Sequence, residues 1–158
     1  MKAAIIFGSK SDKAVMEKAA AVFKDFGIVF SSHTVSAHRA PELLGETVAA
    51  LEEGGTEIIV AGAGLAAHLP GVIAGKTIIP VIGVPIASGS LGGMDALLSI
   101  VQMPWPVPVA AVGIDNGANA AYLAAEILSL KYPELKTKLL AFRNRMKEEA
   151  ARDAGGGL

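Results

Sequence analysis

The sequence predicts a three-layer α/β/α domain on a doubly wound, mainly parallel sheet, of the flavodoxin-like or Rossmann-like kind. Three observations carry that prediction. Apolar runs alternate with helix-patterned segments along all 158 residues, the pattern of a parallel sheet covered on both faces. The first run, Ala3-Ala4-Ile5-Ile6-Phe7, has no polar alternation and reads as a strand buried on both sides. The chemically richest short segments fall directly after strands, at the sheet edge where ligands bind in such folds.

Each element follows from local signals. Gly8 ends the first strand, and Asp12 to Phe26 repeats apolar positions at helical spacing, with Gly27 as the stop. Ile28 to Val35 alternates as a second strand. Pro41 opens a second helix, a favoured first position for proline, and Gly54-Gly55 closes it. Glu57 to Ala61 is a third strand closed by Gly62, and a short helix follows His68. Ile78 to Val84 reads as a fourth strand, Met94 to Val101 as a helix and Val107 to Ile114 as a fifth strand. Asn116 to Leu130 is a further helix. The expected single domain spans residues 1–152 and ends in a charged amphipathic helix over 134–152, with 153–158 as a flexible glycine-rich tail.

Composition removes several function classes. A formal charge of -1 offers no basic surface for nucleic acid and no polybasic membrane patch. Zero cysteines exclude a disulfide scaffold, a thiol nucleophile and thiolate metal sites. Every apolar run is interrupted by Gly, Pro or a charge well before the roughly 20 residues that span a bilayer. The chain enters a strand directly from Met1, so no secretory signal and a cytoplasmic location are expected.

Four segments are candidates to carry the chemistry, the fourth being Pro85 to Asp95 with Gln102 to Pro106. In Gly8-Ser9-Lys10-Ser11-Asp12, small residues let backbone amides converge at a helix start that attracts an anion. Ser9 and Ser11 add hydroxyls, and Asp12 can accept hydrogen bonds from sugar hydroxyls. The same residues also suit an ordinary helix cap, and they match neither the dinucleotide nor the Walker pattern. In Ser36-Ala37-His38-Arg39-Ala40-Pro41, Arg39 offers a planar fork for phosphate or carboxylate. Histidine is the side chain best suited to both giving and taking a proton near neutrality, which makes His38 a candidate acid-base group. A solvated loop with Ser36 as a cap is the competing reading. In Gly62-Ala63-Gly64-Leu65-Ala66-Ala67-His68-Leu69-Pro70-Gly71, small residues let a planar ring approach the backbone, with His68 at the rim. Helix-sheet packing with His68 as a cap is the alternative there.

Other chemistries fit less well. His33, His38 and His68 show no helix-spaced ligand pair for zinc. The Gly-x-Ser-x-Gly elbow of serine hydrolases is absent. A receiver domain would need an acidic pair after the first strand, and a flavin carrier would show aromatics over the ring. Neither occurs. The glycines at 89, 92 and 93 suggest a tight or mobile loop at the same sheet edge.

Read in order, GSKSD at 8–12, SAHRAP at 36–41, AAHLPG at 66–71, PVIGVP at 80–85, LLSIVQMP at 97–104 and NAAYLAAEIL at 119–128 form a specific set. The set resembles the catalytic subunit of phosphoribosylaminoimidazole carboxylase, in its N5-carboxyaminoimidazole ribonucleotide mutase form. The carbon-dioxide-using form of that family carries Lys after its loop histidine and lacks the AHLPG segment. Arg39 and residues 67–71 therefore place the resemblance on the mutase side.

The resemblance implies carboxyl transfer in purine biosynthesis without metal, nucleotide cofactor or ATP. It implies His38 as the proton shuttle, Arg39 on the substrate phosphate and Asp12 on the ribose. Ser9, Ser11, Ser36 and Ala37 are expected beside them, and His68 with the backbone of Gly64, Leu65, Ala66 and Leu69 around the ring and the transient carbon dioxide. A homo-octamer with shared pockets is implied too, as is a transient contact with the ATP-dependent synthetase that makes the substrate. The alternatives are a carboxylase that takes carbon dioxide and a non-catalytic nucleotide-monophosphate binder. The chain departs from the family pattern at Lys13, at Leu65 (usually glycine), at Ala96 and at Trp105-Pro106.

Overall fold

The N-terminal apolar run becomes β1 (Lys2–Phe7), and its side chains divide between two cores. Ala3, Ile5 and Phe7 face Met16, Phe23 and Phe26, whereas Ala4 and Ile6 face Leu44, Val48 and Ile73. The computed structural model describes residues 1–155. After β1 come α1 (Lys13–Phe26), β2 (Val29–Thr34), α2 (Pro41–Glu53), β3 (Ile58–Gly64), α3 (Leu69–Ala74) and β4 (Val81–Ile86). They are followed by α4 (Met94–Val101), β5 (Ala110–Ala111), α5 (Gly117–Ser129) and α6 (Pro133–Gly155). The strands pair in the order β2-β1-β3-β4-β5, every pair parallel. Helices α1, α5 and α6 cover one face and α2, α3 and α4 the other.

Magnitudes decide what holds these layers together. A fully buried Ile, Leu or Phe side chain contributes about 1.5–3 kcal/mol, and Ile5, Ile6, Phe23, Ile58, Ile59, Ile82 and Ile100 are all of that kind. An exposed ion pair such as Lys13–Glu17 contributes about 0–1 kcal/mol. The two apolar cores therefore dominate. Small residues let the layers approach closely: a Cβ on Gly117 would overlap the Val15 carbonyl oxygen, so α5 packs directly on the α1 backbone.

Several boundaries differ from expectation for identifiable reasons. Gly62 does not end β3, which continues to Gly64. Its missing side chain makes room for Met16, which lies against it from α1. The fourth strand starts at Val81 rather than Ile78, because the Thr77 hydroxyl accepts the Ile79 amide proton and Pro80 has none to give. Ile78 is left 96% exposed. The fifth strand shrinks to Ala110–Ala111, since Pro106 and Pro108 remove ladder donors just before it. Residues 10–12 form a 3₁₀ turn, so α1 begins at Lys13. The last helix runs past Arg152 to Gly155, and the rest of the expected tail, 156–158, lies outside the described residues.

At the end of the sheet opposite the strand exits, Glu57 ties three segments together. It accepts hydrogen bonds from the Lys2 amide at 3.1 Å, from Lys131 Nζ at 2.6 Å and from the Tyr132 hydroxyl at 2.8 Å. Burial would raise its pKa, but the hydrogen bonds from Lys131, Tyr132 and the Lys2 amide, with the Lys131 charge, outweigh that and bring it to about 2. A carboxylate held below its ordinary value of 4.5 stabilises the fold fully above that pH, and the contribution is lost as pH falls toward about 2. Replacing Glu57 with Gln is expected to cost about 1 kcal/mol at neutral pH, measured as a denaturant midpoint. The gap between the two proteins should close on acidification. A gap that stays constant down to acid pH would contradict this account.

Candidate active site

The strand order places the site. β1 lies between β2 and β3, so the chain leaves it toward one side and β3 toward the other, opening a crevice at their carboxyl ends. A cleft of about 320 Å³ occupies that position. The loop after β1 supplies Gly8, Ser9, Ser11 and Asp12, and the loop after β2 supplies Ser36, His38 and Arg39. The end of β3 adds Gly64 and Leu65, and the loop after β4 adds Ser88. A larger hollow of about 530 Å³, formed by residues 101 and 103–109, contains no ionisable side chain. The smaller cleft gathers the candidate acid-base and anion-binding side chains His38, Arg39 and Asp12.

Its polar groups hold one another in place. Ser9 Oγ accepts from the Ser11 amide at 3.4 Å and from Ser11 Oγ at 3.0 Å. Asp12, only 7% exposed, is the one buried charged residue among those described, and its Oδ1 lies 3.1 Å from the Ser11 hydroxyl. It makes no cap bond to the helix it precedes, so the plain helix-cap reading does not account for it. The carboxylate sits where the helix dipole favours a negative charge. Across the cleft, the Ser36 hydroxyl accepts the Arg39 amide at 3.3 Å and shapes the turn before α2. The Arg39 guanidinium donates through Nη2 to the Gly8 carbonyl at 3.0 Å, which ties the second loop to the first. Its remaining donors have no protein partner among the described residues, leaving them available to an anion.

His38 and His68 meet, though they are 30 positions apart in the sequence. His38 Nε2 lies 2.6 Å from His68 Nδ1, with the rings edge to face at 81°. One nitrogen donates and the other accepts, so this contact holds a single proton between two exchangeable groups. His68 stands at the N-terminus of α3 but makes no side-chain cap bond. Its ring is committed to His38 instead, which answers the capping alternative.

Leu65 is the local exception to ordinary backbone geometry. Its φ of 54° lies in the left-handed region, which costs an L-residue roughly 1–2 kcal/mol. That conformation explains why glycine suits the position. The side chain is 51% exposed and runs toward the 3₁₀ turn at Gly89–Leu91, where a Cβ on Gly89 would lie 2.8 Å from Leu65 Cδ2.

The expected site residues are thus only partly brought together. Ser9, Ser11, Asp12, Ser36, His38, Arg39, Gly64 and Leu65 line the cleft, and His68 joins through His38. The Leu69 side chain is 3% exposed and packs in the α2–α3–α4 core, so only its backbone could face the cleft. Ala37 also packs against that core, and the Ala66 carbonyl accepts the His68 amide at 2.8 Å. Sequence reasoning missed Ser88 and the Gly8 carbonyl. The position of Ser88 immediately after the fourth apolar strand was the available signal. His33 lies away from the cleft against Ser31. Of the other departures, Lys13 pairs with Glu17, Ala96 is fully buried and Trp105 is 93% exposed. Among the described residues no three His, Cys, Asp or Glu side chains cluster as a metal site, and no helix is long and apolar enough to cross a membrane.

The AIR carboxylase family model matches residues 2–149. The N5-carboxyaminoimidazole ribonucleotide mutase of Pyrococcus abyssi is 59% identical over 146 residues, covering 92% of this chain and 84% of that one. The mutase of Thermotoga maritima is 51% identical over 150 residues, covering 95% and 88%. The crystal structure of Treponema denticola PurE superposes with a TM-score of 0.86 at 29% identity, covering 98% of this chain and 96% of that one. With a family match over residues 2–149 and these relatives along nearly the whole length, the chain belongs to the AIR carboxylase family.

Proposed function

We propose that the chain converts N5-carboxyaminoimidazole ribonucleotide to its 4-carboxy isomer, a step of purine biosynthesis. The observation that carries this reading is the convergence of His38, Arg39 and Asp12 in one cleft. A ribonucleotide needs a cation for its phosphate and acceptors for its sugar hydroxyls, and the reaction needs one group that both gives and takes a proton. Arg39, held by the Gly8 carbonyl, takes the phosphate, and Asp12 with its neighbouring serines takes the ribose.

The chemistry then runs through His38. The bond from N5 to the carboxyl carbon breaks, its electron pair stays on N5, and His38 delivers a proton there. Carbon dioxide is released next to the ring. Ring carbon C4 attacks it, and the ring proton returns to His38, restoring the starting protonation state. One imidazole serves as acid and then as base, while His68, in contact with His38, orients the ring.

The comparison that tests this reading pits the N5-carboxy substrate against aminoimidazole ribonucleotide plus bicarbonate. Preferred turnover of the first supports the mutase. Preferred turnover of the second would make the enzyme a carboxylase, and tight binding without turnover would make it a binder.

A homo-octamer, working in the cytoplasm beside the synthetase that makes its substrate, is part of the same proposal. Met94, Leu98 and Val101 on α4 are about half exposed, and Leu91 and Trp105 extend the apolar surface. Exposed apolar side chains spaced along one helix face suit a surface that a second copy covers. Light scattering is expected to return the mass of eight 16.1 kDa chains, and a monomer mass would remove this part of the proposal.

A further inference from the structure

We propose that Asp115 is a positioning residue, holding the loop after β4 so that Ser88 stays against the substrate; this rests on the ribonucleotide reading of the cleft above. Asp115 itself lines no part of the cleft and stands on the turn between β5 and α5. It is one of two non-glycine residues among those described with a left-handed backbone, at φ 56°. Aspartate visits that region more readily than most residues, because its short side chain hydrogen-bonds locally. Such a conformation persists where the surroundings over-determine it, and three hydrogen bonds do so here.

The Asp115 amide donates to the Pro85 carbonyl at 2.9 Å, and Asp115 Oδ1 accepts the Ala87 amide at 2.9 Å. The Asp115 carbonyl accepts from Lys18 Nζ on α1 at 3.4 Å. The first two bonds clasp the chain on either side of Ile86, the last residue of β4, where the ladder to β3 ends. Packing completes the grip. A Cβ on Gly93 would lie 2.7 Å from Ile114 Cγ2 and 3.0 Å from Ala87 Cα, so the far end of the loop closes on the same neighbours. Ser88 follows directly. A Cβ on Gly64 would lie 3.2 Å from Ser88 Cβ, so Ser88 packs on bare backbone at the end of β3. Its side chain makes no cap bond to the 3₁₀ turn it precedes, which leaves the hydroxyl to whatever occupies the cleft. Gly64 and Leu65 beside it offer no polar side chain, so Ser88 is what that wall can present to a polar substrate atom.

The test measures binding, with aminoimidazole ribonucleotide titrated calorimetrically into the native protein and variants. Asp115→Gly removes the carboxylate but suits the left-handed backbone. It is expected to melt close to the native protein while its Kd rises roughly fivefold, the change that about 1 kcal/mol makes. Asp115→Asn keeps an oxygen for the Ala87 amide and tolerates the same backbone, so its Kd should stay within about twofold of native. Ser88→Ala should weaken binding too, and adding Asp115→Gly to it should cost little more, because both changes act on one contact. Native affinity in Asp115→Gly would overturn the proposal. So would a full further loss in the double variant, which would place the effect of Asp115 away from Ser88. An Asp115→Asn variant as weak as Asp115→Gly would assign the effect to charge, and a large drop in melting temperature with the lost affinity would make Asp115 a structural residue; either also overturns it. A native protein that binds no ribonucleotide would remove the ribonucleotide reading itself, and the proposal with it.

Discussion

Replacing His38 with Asn is expected to lower turnover at least about a hundredfold, the low end for lost general acid-base catalysis, while leaving ribonucleotide affinity nearly unchanged. The side chain is exposed at the exit of β2 and its only protein partner among the described residues is His68, so nothing in the core depends on it. Asn keeps a polar amide near the same place and fills much of the same space. It cannot give a proton to N5 and take one back from C4 of the substrate, which is the function proposed for His38. Steady-state kinetics beside a direct binding titration separates the two properties. Reduced kcat with unchanged binding is the expected pair. Unchanged kcat would remove the shuttle role, and equal loss of binding would make His38 a substrate-holding group.

Replacing Arg39 with Ala should act on the other property. A charge-assisted hydrogen bond is worth about 1.5–3 kcal/mol, so affinity for the ribonucleotide should fall by roughly one to two orders of magnitude. Affinity for the free base, which lacks the phosphate, should change far less. Arg39→Lys should recover only part of the loss, because a point charge replaces a planar fork that can hold the Gly8 carbonyl and still offer donors to an anion. Calorimetric titration of the two ligands reads the difference. Equal losses for nucleotide and free base would contradict the phosphate assignment. Removing Arg39 also unties the second loop from the first, so some loss for the free base is expected, but not parity.

These roles were partly legible in the sequence because the elements that position them have strong local signals. A wholly apolar β1, a helix stop at Gly27 in the left-handed conformation, and Pro41 at the head of α2 are each readable from a few neighbouring residues. The alternation of strands and helices implied a parallel sheet whose following loops meet at one edge, but the order β2-β1-β3-β4-β5 required the fold. What escaped depends on distant contacts. The apolar run from Ile78 does not reveal that the Thr77 hydroxyl and Pro80 delay pairing until Val81. The His38–His68 contact joins loops on either side of α2 and β3, and no spacing rule encodes it. Leu65 was visible as an odd residue in a run of small ones. Its left-handed backbone, and the glycine at 89 that accommodates it, required the fold.

The most direct test of carboxyl transfer follows the carboxyl carbon itself. Substrate carrying 13C in its N5-carboxylate is mixed with the native protein and observed by carbon NMR. The account predicts that the carbamate signal is replaced by that of a carboxylate on the ring, with little labelled bicarbonate formed. Label appearing only as bicarbonate, at the rate of the protein-free solution, would contradict it.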